Sequence, residues 1–230
     1  MRRSLLYISA LCLALAAFPT GQSPETGRVI GRVRLTTKVP GKPLASTAYP
    51  RRAVGDHEAP SLPEIRNVVV YIKDAMYRGA LPPRRAELQQ EHETFIPHTV
   101  AITRGSSVTF PNGDPFFHNV FSLSRAANFN LGRYERGKSR AREFTKAGTV
   151  KVYCDIHSHM SATILVFDHP YFAIPDLDGS FELPAVPAGD YTIVGWHERI
   201  GERAERIRVE AGKAASIELT VPVPAGGVAP

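Results

Sequence analysis

The chain has 230 residues, of which 43% are hydrophobic, 9% aromatic and 22% charged, with a formal net charge of +6 and two cysteines. So small a surplus of positive charge does not call for nucleic acid as a partner, and two cysteines exclude a disulfide-stapled scaffold. With 19 Pro, 18 Gly, short β-branched runs and no long 3.6-residue period, the composition points to an all-β protein with room for one large or two small domains.

Arg2 and Arg3 precede an apolar run from Leu5 to Phe18, and the polar stretch Thr20-Gly21-Gln22-Ser23-Pro24 follows. Residues 1–22 therefore read as a secretory signal peptide, too short and wrongly flanked for a membrane span, with cleavage between Ala16 and Ser23. The mature protein is expected in the periplasm or outside the cell, and Arg2-Arg3 leaves both Sec and Tat export open. No second apolar span follows. Loss of the leader takes Cys12 with it and reduces the net charge to about +4. Cys154 is then the only thiol, so an intramolecular disulfide is excluded even in an oxidising compartment.

Arg28 to Leu35 alternates apolar and polar residues as a half-buried strand does, and a Pro/Gly-rich, charged loop runs from Lys38 to Pro63. Val68 to Ile72 reads as a strand, Gly79 to Arg85 with Pro82-Pro83 as a linker, and Ala86 to Phe110 as further strands broken by a turn at Gly105-Ser106. Beyond the turn residues Pro111 to Pro115 lies His118, in Phe117-His118-Asn119-Val120. Ser124 to Arg142 reads as a long loop, carrying Arg125, Arg133, Arg136, Lys138, Arg140 and Arg142 against Glu135 and Glu143. Such a run either steers an acidic partner or is a solvated loop. A strand leads into Cys154, and Ser161 to Phe167 is its return. Short strands at Phe181 to Leu183, Tyr191 to Trp196, Ala204 to Val209 and Ala215 to Val221 precede a tail, residues 224–230. Trp196-His197-Glu198 lacks metal spacing and reads as a hydrogen-bonded strand end.

The chemistry concentrates at Cys154-Asp155-Ile156-His157-Ser158-His159-Met160. One thiolate, two imidazoles and a thioether form the ligand set of a blue-copper electron-transfer site, with His118 arriving from elsewhere in the fold. Singly, each residue is more often structural: a buried Cys, a bonded core His, a gap-filling Met. Their clustering at Cys-x-x-His-x-x-Met favours copper. Structural zinc, the main rival, takes more Cys or His and no thioether. Nucleophilic catalysis at Cys154 with His157 as base lacks any oxyanion-hole signature.

At these residues the chain resembles the cupredoxins, and its loop the amicyanin-like members, over about Phe95 to Phe167: Phe95-Ile96-Pro97, Gly105, Pro111-Asn112-Gly113-Asp114, His118-Asn119-Val120, Phe144 to Gly148 and Tyr153-Cys154 with the short loop. The resemblance implies a Greek-key β-sandwich over residues 84–168, one copper (Cu+/Cu2+) per chain, His118, Cys154 and His157 as strong ligands, Met160 as axial ligand, and Asn119 supporting the sulfur from its main chain. Ser158 and His159 stand where a Pro and an aromatic residue are usual, so His159 either replaces Met160 on the metal or faces solvent. The flanks, residues 28–80 and 169–223, resemble a carboxypeptidase-regulatory-like (transthyretin-like) β-sandwich. They carry Gly31-Arg32-Val33, Gly41-Lys42-Pro43, Asp176 to Phe181 and Pro187 to Tyr191. Either the copper domain is inserted into that module, or the two follow in sequence. The expected function is an electron carrier, not an enzyme, working between redox proteins such as a dehydrogenase and a c-type cytochrome. Copper storage or delivery, and a small copper enzyme, are the alternatives.

Overall fold

The computed structural model describes residues 26–36 and 63–221. The segments expected to be a signal peptide, a loop from Lys38 with its Gly41-Lys42-Pro43, and a tail lie outside the described residues, apart from Pro63 at the loop's end. Among the described residues, seventeen strands and a single 3-10 turn, Glu64–Asn67, make up the regular structure. In chain order the strands are β1 (Thr26–Leu35), β2 (Val69–Ile72), β3 (Arg85–Glu87), β4 (Gln89–Glu91), β5 (Thr94–Ile96), β6 (Thr99–Thr103), β7 (Ser106–Pro111), β8 (His118–Ser124) and β9 (Ala127–Tyr134). They continue as β10 (Ser139–Phe144), β11 (Gly148–Tyr153), β12 (Ser161–Phe167), β13 (Phe172–Ala173), β14 (Ser180–Pro187), β15 (Gly189–His197), β16 (Gly201–Val209) and β17 (Ala214–Val221). Among the described residues no helix is long and apolar enough to cross a membrane.

The middle of the chain forms one sandwich. A five-stranded sheet, β6-β12-β11-β8-β9, faces the three-stranded β10-β7-β3, with β4-β5 as a separate hairpin. Their inner faces bury Val100, Ile102, Val108, Phe110, Val120, Phe144, Val150, Val152 and Ile164. Strands from the two ends of the described chain form the other: β14-β1-β17 against β13-β2-β15-β16, closed over Val29, Val33, Val70, Leu183, Ile193 and Leu219. Here β1 lies between β14, antiparallel, and β17, parallel. Gly31 makes that central position accessible, since a Cβ there would stand 2.3 Å from the Ile217 carbonyl oxygen and 2.7 Å from the Phe181 ring.

β12 joins the two bodies. Its sequence SATILVF is apolar almost throughout because both faces are covered. Ala162, Ile164 and Val166 enter the core of the first sandwich, while Leu165 packs with Val69 and Phe172 of the second. Phe167 stacks on Phe172 at 4.6 Å between ring centroids. At the margin of this layer Glu198, between β15 and β16, is bonded by His98 Nε2 at 2.6 Å, Thr163 Oγ1 at 2.8 Å and Lys151 Nζ.

The long loop expected from Ser124 to Arg142 is corrected: most of it is β9 and β10. Phe129 and Tyr134 point inward from β9, which also carries Arg133; Arg136 and Lys138 lie on the connection that follows, and Arg140 and Arg142 on β10, which pairs only with β7 in its sheet. Edge strands carry charge because it discourages pairing with other chains, and that density of charge hides the strand period. Arg140 and Arg142 also lie over the Tyr134 and Phe129 rings, 5.9 and 5.7 Å from their centroids, so their stems cover aromatic surface.

Candidate metal centre

His118 opens β8 and is fully buried. The turn before it is locked by Asn112, whose Oδ1 accepts from the Asp114 N–H (2.9 Å) and whose Nδ2 donates to the carbonyl groups of Phe116 (2.8 Å) and Tyr134 (3.1 Å). This places the Asp114 carboxylate 2.8 Å from His118 Nε2. A carboxylate only accepts, so Nε2 carries the hydrogen and Nδ1 is left with its lone pair directed inward. Asp114 is itself held by the backbone N–H groups of His92 (2.7 Å) and Glu93 (2.8 Å). Burial pushes its carboxyl up, but these donors and His118 outweigh that and keep it below the ordinary carboxylate range.

β11 delivers Cys154, 3% exposed, to the mouth of a short loop that returns as β12. The loop closes on itself through Met160 N–H to the His157 carbonyl (3.0 Å) and Cys154 N–H to the Met160 carbonyl (3.4 Å). Cys154 Sγ stands 3.8 Å from His118 Nδ1 and 4.0 Å from His157 Nδ1, and the two nitrogens are 3.1 Å apart. A point equidistant from these three atoms lies about 2.1 Å from each, close to nitrogen–metal bonds of about 2.0–2.1 Å and a sulfur–metal bond of about 2.3 Å. No other set of three His, Cys, Asp or Glu ligand atoms converges in this way among the described residues.

The electrostatics suit a thiolate. Burial pushes the Cys154 thiol up, yet the His118 ring and the backbone N–H groups of Asn119, His157 and Ile156 pull it net below its ordinary value. Burial pulls His118 down, and Cys154 and Asp114 raise it past its usual value. His157 is lowered, first by burial and then by the neighbouring His118 and His159 charges, with Glu93 opposing. Its ring is therefore neutral near pH 7, as a ligand must be.

Each candidate metal-site residue named from the sequence lies among the described residues. His118, Cys154 and His157 converge, and the Asn119 N–H addresses the sulfur while its side chain donates to Asn130 Oδ1 (2.7 Å), tying β8 to β9. Met160 is fully buried in the same core cluster as Cys154. His159 is partly exposed, with Nε2 3.4 Å from Glu93 Oε2, and is not one of the converging donors. Sequence reasoning gave Asp114 no role and passed over Glu93. The i,i+4 spacing of Asp114 and His118 was a usable signal, whereas nothing local marks Glu93.

No family model matches the chain, and no curated protein matches it. Solved structures similar to part of it include a Cu-containing nitrite reductase from Thermus scotoductus SA-01, at 25% identity and a TM-score of 0.36 over 41% of this chain and 25% of that one. A purple cupredoxin from Nitrosopumilus maritimus is 22% identical with a TM-score of 0.33, over 36% of this chain and 99% of that one. Amicyanin from Paracoccus versutus is 22% identical with a TM-score of 0.34, over 38% of this chain and 85% of that one. The chain thus spans a quarter of the reductase's length.

Proposed function

We propose that the chain is an exported type 1 (blue) copper protein that carries single electrons between redox partners, with His118, Cys154 and His157 as strong ligands and Met160 as the axial one. The observation that carries this reading is the triangle of two imidazole nitrogens and one sulfur, with edges of 3.1, 3.8 and 4.0 Å, sized for one ion. Copper bound there supplies a one-electron couple, Cu(I)/Cu(II). The chain's own residues do the rest. Asp114 holds His118 in the ligating tautomer, and three N–H groups stabilise the thiolate. A donor set completed by Met160 leaves no position for substrate, which favours a carrier over an enzyme.

His157 is the least buried of the three strong ligands, and the exposed Phe116 packs against its ring at 6.4 Å, so the electron enters or leaves there. The partner is a redox protein such as a c-type cytochrome or a dehydrogenase, met in the periplasm or outside the cell once residues 1–22 are removed. The sandwich built from both ends of the chain is read as a carboxypeptidase-regulatory-like module into which the copper domain, residues 84–168, is inserted. The turn at Gly179 (φ +84°), where a Cβ would meet the Val33 carbonyl oxygen at 2.2 Å, supports that reading.

The absorption spectrum of copper-loaded protein tests the centre. An intense visible thiolate-to-copper band is expected, lost in Cys154→Ser and kept in Met160→Leu with a raised potential. Bound Cu(II) without such a band would refute the blue-copper assignment and leave storage or delivery.

A further inference from the structure

The hairpin β4-β5 turns through just two residues, His92 and Glu93, with φ of +55° and +54°. A two-residue turn with both angles positive favours Asn-Gly, because a Cβ crowds the backbone in this region. Neither residue here is one of that pair. Such backbone persists where surrounding contacts over-determine it, and these contacts lead to the candidate centre. The two backbone N–H groups of the turn converge on Asp114, which holds His118. The Glu93 side chain reaches the other imidazole ligand: Oε1 lies 3.8 Å from His157 Nε2, and Oε2 lies 3.4 Å from His159 Nε2.

We infer that the His92-Glu93 turn braces both imidazole ligands from outside, with Glu93 as a positioning residue whose carboxylate, oriented by His159, faces the outer nitrogen of His157. This rests on the copper reading above. At 3.8 Å the contact with His157 is longer than a hydrogen bond, so it acts through charge. A negative charge behind a ligand favours the more positive oxidation state of whatever that ligand holds, and the low solvent access here, with the His157 side chain 12% exposed and that of Glu93 21%, limits screening. His159, which the sequence offered as a competing ligand, is thereby assigned to the carboxylate.

The test compares Glu93→Gly, Glu93→Gln and Glu91→Gln in the copper-loaded full chain. Glu93→Gly suits the positive φ and keeps the N–H that Asp114 needs, so the turn survives while the carboxylate goes. Glu93→Gln removes only the charge. Glu91→Gln makes the same charge change two residues away, on a side chain bonded to Gln89. Both Glu93 variants are expected to lower the Cu(II)-to-Cu(I) affinity ratio on the order of tenfold, a rise in potential of about 59 mV, with Glu91→Gln unchanged. Equal shifts at both positions, or none at Glu93, overturn the inference. Loss of the visible band from the unsubstituted protein would count against copper alone. In that event the His157 ring resonances of the metal-free chain decide: displacement in Glu93→Gln and not in Glu91→Gln supports the brace, and no displacement in either refutes it.

Discussion

Asp114 shows how much of a metal site lies behind the ligands. Three donors meet its carboxylate, one of them the ring nitrogen that must carry hydrogen if His118 is to present the other to an ion. Asp114→Asn is therefore expected to weaken copper retention by about 10- to 100-fold in competition with a chelator, because an amide is a poorer acceptor and can present N–H to the ring instead. Unchanged retention would reduce Asp114 to a turn residue. The Cys-x-x-His-x-x-Met spacing was legible because one loop supplies three of the candidate ligands. His118 was legible because it opens a strand after a recognisable turn. Glu93 was not, since its contact depends on two left-handed residues that no glycine announces and on a partner 64 positions away in the chain.

Strand by strand, legibility followed burial. β12 was read to its exact ends because covering both faces leaves an unbroken apolar run, and β1 because one covered face leaves alternation. β9 and β10 were missed because arginines at the edge outnumber the inward Phe129, Tyr134 and Phe144. The basic residues from Arg133 to Arg142 are instead held on β9, on β10 and on the connection between them, strands that pair with β8 and β7 in the two facing sheets, near the exposed Phe117, rather than carried on a long loop. Attraction from such a patch is screened over about 8 Å at physiological ionic strength and acts on association rate. The rate of electron transfer to a small acidic cytochrome is thus expected to fall steeply with salt. Changing Arg136, Lys138 and Arg140 together to Gln is expected to flatten that slope and to leave the visible spectrum alone. A rate indifferent to salt and to the triple change would remove this basic segment from docking.

At the scale of the molecule, two cores are served by one chain that leaves the outer sandwich after β2 and returns to it at β13, so strands near residues 30 and 215 are neighbours in β1 and β17. A fragment of residues 84–168 contains every strand of the middle sandwich and is expected to fold and bind copper, although it exposes Leu165 and Phe167; an unfolded fragment would show that the outer module is required. Glu198 is the polar fastening between the two bodies. Burial pushes its carboxyl up, but His98, Lys151 and Thr163 outweigh this and hold it far below the ordinary carboxylate range. The folded protein therefore binds the ionised form in preference to the protonated one, and the stability this contributes is present above the unfolded carboxyl value of about 4.3 and lost as pH falls below it toward the folded value. Thermal unfolding followed from pH 7 to pH 3 should show the melting temperature of the intact chain declining below about pH 4.5. Glu198→Gln should start lower at pH 7, by on the order of 1–3 kcal/mol for the charged hydrogen bonds it gives up, and should decline less steeply, because the group whose protonation drives part of the loss is gone. Parallel curves for the two proteins would place the acid response elsewhere, with the ion pairs of Glu64 to His197 and Arg199 as the next carboxylate to test, since that group too is held down, to about 2.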